Sequence, residues 1–320
     1  MNIQDTITYL GQVNATQCYP KRYEEINTKL PYFKLYKSQN AKLDMSCFNY
    51  QTHDNAPRML YVKDYLTRYI FSNLSQQTQS DLQGYYNIQL HDSPTYLNDN
   101  INYKGVLTFG KFKDEKGPVM LPDCYFIGDW AGKYTNIQDT FTWDTKNNKV
   151  IFAGTTTGSR DPTKNARINT CIWALDKSQC DFYITNIAQM NPVDILSRVP
   201  RFKEVYHAPI SWEEQKRYKY HLIIDGNTCK WNPDVYFTNS LGFHMPSNDM
   251  LWYYPLLQDN HHFVSVDLDT LLDKHQYYEN NPQEAQVITN TANKLARSLF
   301  TLDSANKYTT ALFESIASNK

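Results

Sequence analysis

A short apolar segment that runs into glycine and hydroxyl residues is the part of this sequence best suited to hold an anion. Val150 to Phe152 is typical of a buried strand, and Gly-Thr-Thr-Thr-Gly follows one residue later. Such a loop presents backbone N–H groups and hydroxyls at the carboxyl end of a strand, where open α/β sheets bind ligands. Arg160 could pair with anionic oxygens through two parallel hydrogen bonds. The same residues also fit a polar turn before a helix, so this segment alone leaves both interpretations open.

Four further residues in the first half could contribute to a site. Arg58 stands at the entry to a helix predicted from Met59 to Leu74, where the helix dipole favours an anion, although it also fits an exposed surface arginine. Asp92 follows a strand-like run and precedes Ser-Pro, so it could serve chemistry or simply form a turn. Asp129 and Trp130 lie in a glycine-rich loop that suits an acceptor cleft and an ordinary surface loop equally well.

The elements that must position these residues are clearest in the second half. Strand-like and helix-like segments alternate from about residue 146 to 300, which predicts a doubly wound parallel sheet. A helix carrying Arg167 should follow the glycine loop, and Ser211 with Glu214 forms a capping box at another helix start. The predicted strands after the first are Cys180–Thr185, Tyr220–Ile224, Ser240–Met245 and His262–Val266.

The remaining segments give weaker patterns. Residues 1–50 are predicted to form a short helix or two with loops, residues 188–209 to be irregular, and residues 249–257 to be helical. We therefore expect an N-terminal α/β domain over 1–145, a second α/β domain over 146–300, and a C-terminal helix over 301–320 that could pack back on the first domain.

Composition excludes several classes of protein. The 320 residues carry a formal net charge of −1 without a basic cluster, which argues against nucleic-acid binding. The six cysteines are scattered without zinc spacing, as expected of free thiols in a reducing compartment. We expect no signal peptide, no transmembrane segment and no metal site, and therefore a cytoplasmic protein of bacterial or viral type.

Several motifs, taken together and in order, resemble those of the CAP10-like glycosyltransferases of family 90. Phe152-Ala-Gly-Thr-Thr-Thr-Gly with Arg160-Asp161 is similar to the family's Phe-Arg-Gly-Ser/Thr loop and its following arginine. The other matching segments are Tyr218-Lys-Tyr to Gly226, Asn239 to His244, Trp252 to Pro255, His262 to Val266 and Asn280 to Ala285. In the first half the resemblance covers Pro57-Arg58, Asn87 to Pro94 and Pro122 to Phe126.

The resemblance implies a GT-B fold, in which two Rossmann-like α/β domains face a cleft. It implies inverting, metal-independent transfer of xylose or glucose from a UDP-sugar to a hydroxyl of a glycan or glycoconjugate, with no cofactor. Asp92 would be the catalytic base, and the acceptor side would include Asp129 and Trp130. The donor site would comprise Arg58, Gly154, Thr155, Thr156, Arg160, Arg167, Gly226, Asn227, Thr228, Lys230 and Asn232.

Two departures from the family pattern keep other functions open. Ala153 and Asn232 stand where the family usually has arginines, and Lys230 could supply a replacement charge. An alternative is therefore a catalytically inactive protein that binds carbohydrate or nucleotide on the same scaffold. A third hypothesis is a metal-dependent, phosphate-handling hydrolase built on the glycine loop, although that loop lacks the ending of a P-loop.

Overall fold

The structure is a computed structural model that describes most of the chain. The described residues are 2–15, 18, 20–38, 42–51, 55–91, 104–124, 126–127, 136–227 and 233–319. Their α-helices are α1 (Ile3–Asn14), α2 (Ala56–Tyr65), α3 (Gln76–Asp81), α4 (Ala166–Ala174), α5 (Pro192–Arg198), α6 (Phe202–Val205), α7 (Trp212–Gln215), α8 (Pro233–Tyr236), α9 (Leu271–Asn280), α10 (Pro282–Leu299) and α11 (Leu302–Ser318).

The strands include one of nine residues and several of only two. They are β1 (Tyr32–Lys37), β2 (Leu43–Phe48), β3 (Gly84–Asn87), β4 (Leu107–Thr108), β5 (Lys111–Phe112), β6 (Val119–Met120), β7 (Asn147–Thr155), β8 (Cys180–Asn186), β9 (Tyr218–Ile223), β10 (Leu241–His244), β11 (Asp249–Met250) and β12 (Val264–Ser265). The predicted α/β fold class is confirmed.

The chain divides into two compact units. The first unit comprises Met1–Asn136, Asn248–Tyr254 and Ser298–Lys320, and the second comprises Ile137–Ser247 and Pro255–Arg297. The chain therefore passes between the units several times, and its last helix belongs to the first unit.

The first unit contains a mixed arrangement of strands. Strands β2, β1 and β3 form an antiparallel sheet in that order, whereas β4 and β6 form a parallel pair. A single parallel bridge between Ile88 and Leu107 connects the strand-like run after β3 to β4. Helix α11 is anchored to this unit by Tyr308, whose buried hydroxyl donates to the carbonyl of Met120 at 2.9 Å.

The second unit is built on a parallel five-stranded sheet, as expected of a Rossmann-like domain. The strand order is β12-β10-β9-β7-β8, and every pair of neighbours runs parallel. In chain order this is 2-1-3-4-5, with the topological switch between β7 and β9. The sheet thus fixes where a ligand crevice should form.

The two faces of this sheet have different surroundings. Because successive side chains alternate, Val150 and Phe152 on β7 share one face with Tyr220 on β9. These residues belong to a buried core that also contains side chains of α4, α9 and α10. Ile151 and His221, which are paired in register, occupy the opposite face.

Three predictions for individual segments were wrong. Residues 1–50 contain β1 and β2 as well as a helix, and the irregular stretch 188–209 contains α5 and α6. The predicted helix over 249–257 is instead β11, a buried run from Leu251 to Tyr254 and a short 3-10 turn. Four consecutive buried side chains do not suit an amphipathic helix, which would expose part of its surface.

Candidate functional site

The loops that follow β7 and β9 meet at the carboxyl edge of the parallel sheet. The next two strands along the chain, β8 and β9, lie on opposite sides of β7 in the sheet. The first loop begins after Thr155, and the second begins after Ile223. Ligands of open α/β sheets bind at such a switch point. The glycine loop is therefore placed where the sequence predicted a site.

Direct contacts lock these two loops together. The backbone N–H of Gly158 donates to Oδ1 of Asn227 at 3.1 Å. Gly158 has a φ of +113°, a conformation that residues with a side chain rarely adopt. A Cβ atom at Gly226 would lie 2.4 Å from Oγ1 of Thr157. Glycine at 226 is thus required by the close approach of the loops.

Arg167, the second residue of α4, bridges the same two loops. On the β7 side its Nη1 donates to the carbonyl of Thr155 at 3.2 Å and to Oγ1 of Thr157 at 2.8 Å. On the β9 side its Nε donates to the carbonyl of Asp225 at 3.1 Å and its Nη2 to that of Ile224 at 2.9 Å. Burial lowers the pKa of Arg167 to about 10, so the guanidinium is charged at neutral pH.

Asn165 fixes the glycine loop through side-chain hydrogen bonds. Its side chain is fully buried and caps α4 by accepting from the N–H of Ile168 at 3.1 Å. Its Nδ2 donates to the loop carbonyls of Thr156 and Ser159, each at 3.0 Å. The loop conformation is therefore fixed by the start of the following helix.

A pair of hydroxyls in the loop retains hydrogen-bonding capacity. Oγ1 of Thr155 and Oγ1 of Thr157 lie 3.1 Å apart, and the second also accepts from Arg167. Each hydroxyl has one proton, and the bond between them uses one of the two. The other proton remains for a further acceptor, whichever threonine carries it. The pair can therefore donate to a ligand oxygen.

A cavity of about 380 Å³ lies beside these loops, within the second unit. Gly154, Thr155 and Arg167, all predicted site residues, contribute to its lining, and so does Ala153. The other lining residues are Ile151, Phe152, Thr157, Trp212, Gln215, His221, Leu222, Ile223, Ile224, Asp234 and Val235. Its walls combine polar and apolar groups in nearly equal shares.

Sequence reasoning did not identify Trp212 or His221 as site residues. Their rings meet edge to face, with centroids 5.5 Å apart. Trp212 is the first residue of α7, whose predicted capping box is confirmed by both bonds between Ser211 and Glu214. Burial lowers the pKa of His221 to about 3, so its ring is neutral. The sequence did contain one sign of a site here, because His221 is a polar residue within a strand whose neighbours are apolar.

The other predicted donor residues of the second unit have distinct surroundings. Thr156 is fully buried, and its hydroxyl donates to the carbonyl and accepts from the N–H of Ala188, each at 2.8 Å. It supports the loop from inside and is absent from the cavity lining. Arg160 is exposed and also lies outside the lining, whereas Gly226 and Asn227 contact the glycine loop.

Arg58 belongs to the first unit and is not an exposed surface residue. It is 7% exposed, and its Nη1 donates to the carbonyl of Leu90 at 2.7 Å. The alternative of a surface arginine was therefore wrong. The predicted residues Asp92, Asp129, Trp130, Thr228, Lys230 and Asn232 lie outside the described residues, and their roles stay predictions.

Two features are absent from the described part of the chain. No group of three or more histidine, cysteine, aspartate or glutamate side chains in that part could hold a metal ion. Within the same residues, no helix combines the length and the apolar character that crossing a membrane requires.

Comparisons with known proteins give only distant likenesses. No family model and no curated protein matches the chain. The solved structure of Anabaena Alr3699/HepE in complex with UDP-glucose is similar at 9% identity and a TM-score of 0.38, over 50% of this chain and 47% of that one. For TarM the values are 9% and 0.41, over 62% and 40%.

A third similar structure is the C-terminal domain of a glycosyl transferase group 1 family protein (LpcC) from Francisella tularensis. It shows 9% identity and a TM-score of 0.30, over 48% of this chain and 85% of that domain. The chain spans less than half the length of the HepE and TarM chains. At these identities and TM-scores, none of the likenesses assigns a function to this chain.

Proposed function

We propose that the carboxyl edge of the parallel sheet binds the nucleotide-sugar donor of a glycosyltransferase. The observation that carries this proposal is the joining of two loops by Arg167 at the topological switch point, beside a cavity of about 380 Å³. Both the position and the size suit a small ligand with a charged part and an apolar part.

The loops supply what a diphosphate requires. Arg167 brings a positive charge, and the hydroxyl pair of Thr155 and Thr157 brings one free proton. When the sugar leaves, negative charge grows on the diphosphate, and fixed donors that already point at that charge stabilise the transition state. Because Asn165 and Gly226 hold the loops in place, little reorganisation is needed at the moment of reaction.

The resemblance to family 90 supports a finer proposal. The enzyme transfers xylose or glucose from a UDP-sugar to a hydroxyl of a glycan or glycoconjugate, with inversion and without a metal. Asp92 takes the proton from the acceptor hydroxyl, on the face of the sugar opposite the leaving diphosphate. The two-domain GT-B arrangement, the acceptor side and a cytoplasmic location belong to the same proposal.

A donor screen tests the enzyme assignment. Purified protein is incubated with UDP-xylose, UDP-glucose and other nucleotide sugars, and release of UDP is measured with and without candidate glycan acceptors. We expect turnover with at least one UDP-sugar, and we expect that turnover to persist in the presence of a chelator. Loss of activity on chelation would contradict the metal-independent mechanism and favour the hydrolase hypothesis.

The role of Asp92 has its own test. Asp92→Asn should abolish transfer while UDP binding stays nearly unchanged, because the amide cannot accept the acceptor's proton. Asp303→Asn, at an exposed ion pair with Lys307, is the matched control and should keep wild-type turnover. Wild-type turnover in Asp92→Asn would show that another group is the base.

One observation favours a second function, that of a binding protein without catalysis. Ala153 lines the cavity at a position where the resemblance leads one to expect an arginine. A missing donor for the diphosphate would weaken leaving-group stabilisation while leaving space for ligand. Measurable binding of UDP-sugars without turnover of any of them, in the same screen, would establish this alternative.

A further inference from the structure

A second cavity, of about 520 Å³, belongs to the second unit and shares no lining residue with the cavity beside the glycine loop. Two of its walls are the helices α9 and α10, which are separated by the single residue Asn281. The third wall is the loop before β12, to which Asn260 belongs. Its volume lies within the usual range for small-molecule sites. The corner between the two helices is therefore a candidate site that the donor cavity does not explain.

Tyr278 presents an unused hydroxyl to this cavity. The residue is only 4% exposed, and its ring centroid lies 6.2 Å from that of Phe243 in the core. The hydroxyl makes no hydrogen bond within the described part of the chain, yet it is not one of the atoms that the protein encloses completely. Hydroxyls of buried residues are nearly always paired, so this one calls for a partner in the cavity.

Tyr277 supplies a fixed aromatic surface beside that hydroxyl. Its side chain is 47% exposed, and its own hydroxyl donates to Oε2 of Glu284 at 2.9 Å, which ties α9 to α10. The ring meets that of Tyr278 edge to face, with centroids 5.1 Å apart. Val287, 64% exposed, follows Glu284 by about one turn of α10 and also lines the cavity. Together these side chains form an apolar platform that is open to a ligand.

The polar side chains around the platform offer both donors and acceptors. Lys274 brings an ammonium group, and Asn260 and Gln283 bring amides, each of which can donate and accept. Glu284 accepts from Tyr277 through one carboxylate oxygen and has a second oxygen for another donor. A ligand that fits this lining must therefore itself donate and accept at several points of its edge.

The charges at the cavity disfavour an anionic ligand. The ammonium of Lys274 is balanced by the carboxylate of Glu284. Asp259, whose Oδ1 accepts from the N–H of Asn260 at 2.9 Å, adds a negative charge that contributes to the raised pKa of Tyr278. A purely apolar ligand would leave the polar groups unpaired. A neutral ring with hydroxyls on its edge and C–H groups on its faces, as in a sugar, satisfies both kinds of wall.

We propose that the corner between α9 and α10 is a glycan-binding site that takes one neutral sugar ring of a saccharide chain. The ring stacks on Tyr277 and Val287, and its hydroxyls bond to Tyr278 and to the surrounding amide and charged groups. This inference goes beyond the proposed function, because the glycan-binding site shares no residue with the donor cavity and needs no catalysis.

Saturation-transfer NMR with neutral tetrasaccharides tests the glycan-binding site without any nucleotide. Cellotetraose, xylotetraose and maltotetraose are the probes, and we expect at least one of them to bind. Tyr278→Phe removes only the hydroxyl and should weaken binding by roughly three- to tenfold, the worth of one hydrogen bond. Tyr277→Ala removes the platform and should weaken it by roughly tenfold or more. Tyr9→Phe and Tyr9→Ala, at an exposed tyrosine of the first unit, are the matched controls.

Val287→Arg provides a variant that fills the cavity without removing a polar group. The position is exposed and arginine is a better helix former than valine, so the protein should stay folded, which thermal unfolding checks. Glycan binding should fall by roughly tenfold, whereas UDP affinity should not change. Failure of the wild type to bind any of the tetrasaccharides, or losses no larger than those of the Tyr9 controls, would overturn the glycan-binding site.

The remaining outcomes separate a failure of the glycan-binding site from a failure of the proposed enzyme. Glycan binding that depends on Tyr277 and Tyr278, without sugar transfer, would retain the glycan-binding site and reject the transferase. Sugar transfer with glycan binding that ignores these substitutions would do the reverse. A wild type that self-associates, binds no tetrasaccharide and becomes monomeric in Val287→Arg would assign the cavity to a contact between copies of the chain and overturn the glycan-binding site.

Discussion

The two ends of the parallel sheet each hold a cation, a buried lysine at one end and a partly buried arginine at the other, and the two cations have different partners. At the amino end Lys146 donates to Asp139 at 2.7 Å, to Ser240 at 3.0 Å and to the carbonyl of Lys216. These contacts join the starts of β7, β9 and β10 and use all three ammonium hydrogens. At the carboxyl end Arg167 joins the ends of β7 and β9.

The different partners of the two cations indicate that the amino end of the sheet serves stability and the carboxyl end serves ligand binding. The partner of Lys146 is the carboxylate of Asp139, whose side chain is almost fully buried, so the two opposite charges at the amino end cancel. The four hydrogen bonds of Arg167 go to carbonyl and hydroxyl oxygens, which leaves one of its five N–H groups without a partner among the described residues. The carboxyl end also borders the cavity. A neutral, saturated cluster supports a fold, whereas a charged, unsaturated one can hold an anion.

The largest effect on stability should come from breaking the ion pair of Lys146 and Asp139 at the amino end. Lys146→Met leaves Asp139 as a buried charge without its cation, which costs about 3–5 kcal/mol in unfolding free energy. Denaturant unfolding measures the loss, and Lys307→Met, at an exposed ion pair, should change stability by less than about 1 kcal/mol. The double variant Lys146→Met with Asp139→Leu should recover part of the loss. A Lys146→Met protein of wild-type stability would show that the ion pair is not structural.

Arg167→Lys tests the other cation and should act on both stability and binding. A lysine keeps the charge but cannot reach four acceptors on two loops, so roughly 2–3 kcal/mol of stability should be lost. UDP and pyrophosphate affinities should both fall, because the loops that hold the diphosphate separate. Arg160→Lys, at an exposed position, is the control for stability. Unchanged affinity for both ligands in a folded Arg167→Lys protein would remove the diphosphate site from these loops.

The contact between the loops can be disturbed without touching a charge. In Gly226→Ala the new Cβ would lie 2.4 Å from Oγ1 of Thr157 and 2.9 Å from Nη2 of Arg167, so the loops must move apart at a cost of about 1–3 kcal/mol. Gly242→Ala is the matched control, since its Cβ would meet the flexible end of Ile223 at 3.2 Å. If both variants lost equal stability, the close approach at Gly226 would have no special role.

The effect with the smallest increment, about 1 kcal/mol for each unit of pH, concerns the neutral histidine. The pKa of His221 is lowered to about 3 by burial and by Lys146, against a usual value of 6.5. The unfolded chain therefore binds one more proton between these values, so this contribution is complete above pH 6.5 and is lost as pH falls towards 3. His221→Gln should lose less stability on acidification, by about 1 kcal/mol per pH unit. Parallel acid profiles of the two proteins would contradict the assigned neutral state.

Local patterns in the sequence were enough to locate the carboxyl edge of the sheet. The apolar run Val150–Phe152 predicted the strand β7, and Ser211 with Glu214 predicted the start of α7. The order of strands and the contact between the loops were not in those patterns, because β7 and β9 are separated by more than 60 residues. The resemblance supplied that connection by placing Gly226 in the same site.

The functional groups that sequence reasoning missed are those defined only by packing. Trp212 belongs to a short helix and His221 to a strand, and nothing local indicates that their rings touch in one cavity. Strands β1 and β2 were missed for a similar reason. β3, the second partner of β1, lies far along the chain, and polar residues such as Lys34 and Lys37 obscure the buried pattern of β1.

Backbone hydrogen exchange with and without saturating UDP tests whether the carboxyl edge of the sheet binds a nucleotide, because it reports on both ends of the sheet in one experiment. We expect slower exchange in the loop residues 154–159 and 224–227, with no change in the amino-end segment 137–146. Slower exchange confined to the amino end, or unchanged exchange in both loops while UDP is bound, would contradict a nucleotide site at the carboxyl edge.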